Sequence, residues 1–127
     1  MPLRVQVDRD REIIFVDGQG VVTDDDLLSY VAEYLGGDGL QGFDELFDLS
    51  GADLVDLTYA GLASVAKAAA ATDPDAEPTR IAILVSETLG LGLSRMYQSL
   101  RESKGGRRST RVFQDRSECH EWLGIDP

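Results

Sequence analysis

Apolar and polar positions alternate through Leu3-Arg4-Val5-Gln6-Val7, the pattern of a half-buried strand. A polar stretch, Asp8-Arg9-Asp10-Arg11, separates it from a second apolar run, Ile13-Ile14-Phe15-Val16, so the two predict a hairpin. Gly18 and Gly20 interrupt the pattern and permit a bend or bulge. The period then changes. Thr23 is placed to cap a helix whose first turn carries Asp24, Asp25 and Asp26, and Leu27, Leu28, Val31, Tyr34 and Leu35 recur on one helical face. Gly36-Gly37-Asp38-Gly39 ends that helix.

The remaining segments repeat the alternation of strand and helix. Asp44 to Leu49 reads as a short strand, followed by an acidic loop from Ser50 and a helix from about residue 58 to 71 with Leu62, Val65, Ala66 and Ala69 on one face. Asp73-Pro74-Asp75-Ala76-Glu77-Pro78 is a loop, because each proline disfavours a helical predecessor. Ile81-Ala82-Ile83-Leu84-Val85 is a continuous apolar run, as expected of a strand covered on both faces. Ser86 is placed to cap a helix with Leu89, Leu93, Met96, Tyr97 and Leu100 on one side. Arg111-Val112-Phe113 predicts the last strand, and Asp115 and Glu118 have capping-box spacing before a short helix with Cys119, Trp122 and Leu123. The element order β-β-α-β-α-β-α-β-α predicts an α/β fold: a mostly parallel sheet of about five strands with an N-terminal hairpin, packed by about four helices.

Composition narrows the function classes. The 127 residues fit one domain spanning 1–127, long enough for a core without staples. A single cysteine rules out an internal disulfide framework. No apolar run reaches membrane-spanning length, and Met1-Pro2-Leu3-Arg4 begins no signal peptide, so a cytoplasmic protein is expected. The formal charge of −11 argues against nucleic acid as a partner. Basic residues concentrate at Arg101, Lys104, Arg107, Arg108 and Arg111, read as a solvated loop, with a docking patch for an acidic partner or phosphate as the alternative.

The order of these segments resembles the STAS domain, and more closely its SpoIIAA-like bacterial family. The resemblance rests on Val16-Asp17-Gly18-Gln19-Gly20-Val21-Val22-Thr23, Gly42-Phe43-Asp44 through Ser50, Ile81 through Ser86, Leu93-Ser94-Arg95-Met96-Tyr97, Arg111-Val112-Phe113 and Trp122-Leu123. It implies a non-enzymatic regulatory or protein-interaction module like the anti-sigma factor antagonists, with a kinase or anti-sigma-like partner. It also implies a switch loop, here Asp48, Ser50, Gly51, Asp53 and Asp56, with Thr58 as the phospho-acceptor in register. Leu57 and Tyr59 replace a hydroxyl and a glycine of the family pattern, which makes the switch degenerate.

Each candidate has a plain alternative. Thr58 or Asp56 at a helix start serves equally as a cap, and Ser50 as a turn residue whose hydroxyl bonds nearby backbone. Asp48, Asp53 and Asp56 suggest a magnesium site of receiver type, but such a site needs a lysine after the last strand, and Phe113 is followed by Gln114-Asp115. No metal or cofactor is expected. Cys119 reads as a small core residue and His120 as solvent-facing, so no catalytic pair is expected. Gly90 and Gly92 mark either close packing or the approach of a ligand or partner. The set Ser86, Leu89, Leu91, Leu93, Met96 and Tyr97 covers more than one helical face. It is a candidate homodimer or partner contact, or else the lining of an apolar pocket between sheet and helices for a small molecule or lipid.

Overall fold

The fold is described from a computed structural model. It covers residues 2–36, 39, 40, 42–72, 79–86, 88–103 and 108–125, with backbone alone at 54, 88–91, 93, 102, 103 and 108. The expected hairpin is present: β1 (Leu3–Asp8) runs antiparallel to β2 (Ile13–Gly18), in register from Leu3 opposite Gly18 to Asp8 opposite Ile13. Asp8 closes the turn by accepting the Arg11 amide at 3.0 Å and its guanidinium Nε at 2.7 Å. The same bonds hold the Asp8 carboxyl below its usual range.

A short strand β3 (Gly20–Thr23) leads into α1 (Asp24–Tyr30). The Thr23 hydroxyl accepts the Asp26 amide while Asp26 accepts the Thr23 amide, a reciprocal cap worth about 1 kcal/mol. The helix continues as a wider π-helical turn, Val31–Leu35. Then come β4 (Asp44–Asp48), β5 (Ala52–Asp56), α2 (Tyr59–Ala70), β6 (Thr79–Leu84), α3 (Thr88–Ser103), β7 (Arg108–Phe113) and α4 (Arg116–Leu123). The main sheet has the order β1-β2-β4-β6-β7, and every pairing after the hairpin is parallel. The predicted fold class holds.

Strand parity divides the core into two layers. Ile14, Val16, Phe47, Ile81 and Ile83 face α1, α2 and α3 in the larger cluster. Ile13, Leu46, Ala82 and Leu84 face α4 on the other side, with Phe113, Cys119 and Leu123. Residues of both parities are buried along Ile81–Val85, which explains its unbroken apolar run.

The sequence reading of residues 50–58 as an acidic loop is corrected. Ser50 and Gly51 make a turn, and Ala52–Asp56 is a strand pairing with β3 in a separate two-stranded parallel ladder from Gly20 opposite Ala52 to Thr23 opposite Asp56. The register shifts between Gly20 and Val21, where Gly20 takes φ +66°, a left-handed conformation that glycine adopts without strain. Two further expectations change. His120 is buried at 7% exposure, because it stands on the same short helix as Cys119 and packs inward with it. Arg101 is no member of a solvated loop: it lies inside at 1% exposure, its guanidinium directed to the Ala66 carbonyl on α2. Lys104 and Arg107 lie outside the described residues.

Candidate functional site

The residues of the expected switch loop divide between two places. Asp48 ends β4 with its side chain mostly buried; Oδ1 accepts both the Ser50 amide, at 2.8 Å, and the Ser50 hydroxyl, and Oδ2 is ion-paired with Arg116 at the start of α4. Ser50 therefore donates its hydroxyl to a side chain rather than to backbone. Its carbonyl accepts the Ser86 hydroxyl at 3.4 Å, so the turn after β4 and the end of β6 adjoin. Asp53 and Asp56 are exposed along β5, and Gly51 is exposed in the turn.

Thr58 lies at the other end of β5, at the cap of α2. Its Oγ1 accepts the Gly61 amide at 2.9 Å, the capping geometry that the sequence allowed. Oγ1 also donates to Asp24 Oδ2 at 2.8 Å, and the Thr58 amide points at the same carboxylate. Asp24 belongs to the first turn of α1 but covers the first turn of α2. A Cβ at position 61 would come within 2.0 Å of that carboxylate, so the glycine is what lets it sit there. Tyr59 stands beside the cap at 62% exposure.

The second place is a cavity between the sheet and α1, α2 and α3. Its walls are apolar: Leu27 and Val31 from α1 and its extension, Leu62 and Val65 from α2, Ile81 and Ile83 from β6. Its volume is about 60 Å³, enough for on the order of a few water molecules. Among the described residues, the polar-tipped side chains of Tyr30, Glu45, Ser94 and Tyr97 also line it. Glu45 is only 2% exposed and accepts the Tyr30 hydroxyl at 2.6 Å. The Tyr30 ring is fixed by stacking on Tyr34 at 5.6 Å and by an edge contact with Phe47 at 5.4 Å.

Among the expected contact residues, Tyr97 lines this cavity and Met96 packs against the larger core. Ser86 is exposed, and the side chains of Leu89, Leu91 and Leu93 lie outside the described residues. Among the described residues, none lies within 4 Å of where a Cβ at Gly92 would stand. Sequence reasoning missed Glu45, Tyr30 and Asp24. The parity of Asp44-Glu45-Leu46-Phe47 carried a signal for Glu45, since it shares a face with Phe47. Nothing in sequence links Asp24 to Thr58.

Cys119 is the small core residue expected. Burial pushes its thiol up to about 11, against a smaller opposing pull from Arg116, so at neutral pH it is protonated and a poor nucleophile.

The architecture is a SpoIIAA-like fold. Among solved structures the chain is similar to a Shewanella loihica PV-4 protein of the DUF3478 family with a SpoIIAA-like fold. The TM-score is 0.58 at 16% identity, covering 95% of this chain and 91% of that one. No protein-family model matches the sequence, and no curated protein matches it.

Proposed function

We propose that this chain is a non-enzymatic, cytoplasmic binding domain whose cavity takes a small apolar molecule. The observation that carries the reading is an apolar space under three helices with a buried carboxylate, Glu45, at its wall. A few fixed polar groups in an apolar pocket are the usual composition of a small-molecule site, the polar groups setting orientation and the walls supplying contact area. Native mass spectrometry of protein from its own organism is expected to show a co-purifying ligand. Ala69→Leu, which adds bulk to the cavity wall, is expected to remove it. A ligand-free spectrum, together with no shift of the cavity methyl resonances in pentane-saturated buffer, overturns the reading.

One observation favours a second reading, a regulatory module meeting a kinase or anti-sigma-like partner through its switch segment. Thr58 and Tyr59 are exposed at the start of α2, where a partner can reach them. Asp24 weighs against phosphorylation there, because a phosphate would contend for the amides that this carboxylate already covers. A partner lost on Tyr59→Ala, or a concentration-dependent homodimer with no ligand, supports this second reading instead.

A further inference from the structure

Two arginines meet about one tryptophan on the α4 side of the sheet, opposite the cavity. Arg80 on β6 and Arg111 on β7 share the strand parity of Ala82, Leu84 and Phe113, which pack beneath α4. The register sets Arg80 beside Ser109 and Ala82 beside Arg111, so the two are diagonal neighbours on adjacent strands. Each guanidinium stands over the Trp122 ring, 5.6 Å from its centroid, and that of Arg111 also over Phe113 at 5.3 Å. Arg80 has a structural task besides: its Nη1 donates to the Trp122 carbonyl at 2.6 Å, in the last turn of α4, where carbonyls lack helical partners. Arg111 has no such task. Among the described residues its exposed side chain makes ring contacts alone, with no hydrogen bond and no ion pair, so its N–H donors are open to solvent. Asp44 is near enough to accept the Arg80 backbone amide at 2.9 Å, and Glu118 and Glu121 are exposed on α4. Even so, neither guanidinium is ion-paired with a described carboxylate.

We propose that Arg80, Trp122 and Arg111 form a binding site for an oxyanion, a carboxylate or phosphate group taken by the two guanidiniums. The planar fork of arginine matches both groups with paired hydrogen bonds. The rings of Trp122 and Phe113 orient the forks beforehand, so less side-chain freedom is lost on binding. An anion there also offsets the repulsion between two like charges set side by side. The formal charge of −11 opposes an anion at long range, but salt at physiological strength screens beyond about 8 Å, so the groups nearest the site decide. The site lies across the sheet from the cavity and does not depend on a ligand there.

Trp122 is the sole tryptophan of the chain, so its fluorescence and its indole N–H resonance report on the site directly. The test titrates the full chain, at constant ionic strength held with chloride, with inorganic phosphate, acetate and a short peptide of aspartate and glutamate. A saturable response of Trp122 is expected. Arg111→Gln is expected to weaken it about tenfold, the loss of a charge-assisted hydrogen bond, with the melting temperature unchanged. Tighter binding of the peptide than of either free ion assigns the site to an acidic partner segment. Binding of phosphate or acetate at least as tight as the peptide assigns it to a free anion, and both outcomes support the proposal. A response unchanged in Arg111→Gln, or no saturable response to any of the three, overturns it. Should that variant not fold, Arg111→Lys, which keeps the charge but not the fork, is expected to weaken binding, and unchanged binding there overturns the proposal.

Discussion

The Asp24 carboxylate accepts the Thr58 hydroxyl at 2.8 Å across 34 residues of sequence, joining the start of α1 to the start of α2. Both groups are exposed or half-exposed, so the bond is modest in energy but specific in geometry. Thr58→Ala is expected to cost about 1 kcal/mol, as loss of a helix cap does. Asp24→Ala is expected to cost a similar amount, and the double variant less than the sum. Chemical denaturation of the four proteins measures that coupling.

Gly61 tests the same contact from the other side. Glycine to alanine inside a helix ordinarily stabilises by about 1 kcal/mol. Here the added methyl would displace the Asp24 carboxylate, so Gly61→Ala is expected to be neutral or destabilising. In an Asp24→Ala background the same change is expected to stabilise. A stabilising Gly61→Ala in the natural chain would mean that the carboxylate does not rest on this turn.

Gly92 supplies the contrast. It lies within α3, is exposed, and has no described residue within 4 Å of a prospective Cβ. Gly92→Ala is expected to raise stability by about 0.5–1 kcal/mol, seen as a higher denaturation midpoint. A loss would indicate that something docks against the bare backbone.

In the cavity, Tyr30→Phe removes only a hydroxyl but takes a donor from Glu45. The expected cost is about 1–3 kcal/mol, the penalty for depriving a buried acceptor. Thermal unfolding of this variant beside the natural chain measures it.

Cys119 gives a pH dependence of definite sign. Its thiol ionises near 9.0 when unfolded and at about 11 in the fold, so between these values the native state holds a proton that the unfolded chain has lost. The stabilisation from the neutral thiol is complete below the unfolded value and declines as pH rises toward the folded one. The stability difference between the natural chain and Cys119→Ala is expected to shrink over that interval. Thiol reagents at neutral pH are expected to react only after unfolding.

Local pattern carried most of the fold. The hairpin, the Thr23 cap, the α2 face and the doubly covered β6 all follow from neighbours within a few residues, and periodicity reports such neighbours. β5 was missed because its identity depends on β3: Val55 has strand character, but Asp53 and Asp56 break the run, and only the pairing with Val22 and Thr23 makes it a strand. His120 was misplaced for a similar reason, since a short helix with few apolar residues leaves its inward arc ambiguous. The candidate site was half legible. Thr58 and Asp48 stand at element ends, where sequence places them, whereas their partners Asp24 and Arg116 belong to other helices and leave no local trace.

The two-stranded ladder also has an electrostatic consequence. By setting Thr23 opposite Asp56 it starts two helices side by side, and each helix N-terminus carries roughly half a positive charge from its aligned peptide dipoles. Two such ends placed together repel. Asp24 stands in the first turn of α1 and accepts from Thr58 at the start of α2, so part of the acidity of this chain is a counter-charge to its own backbone, required by which strands pair.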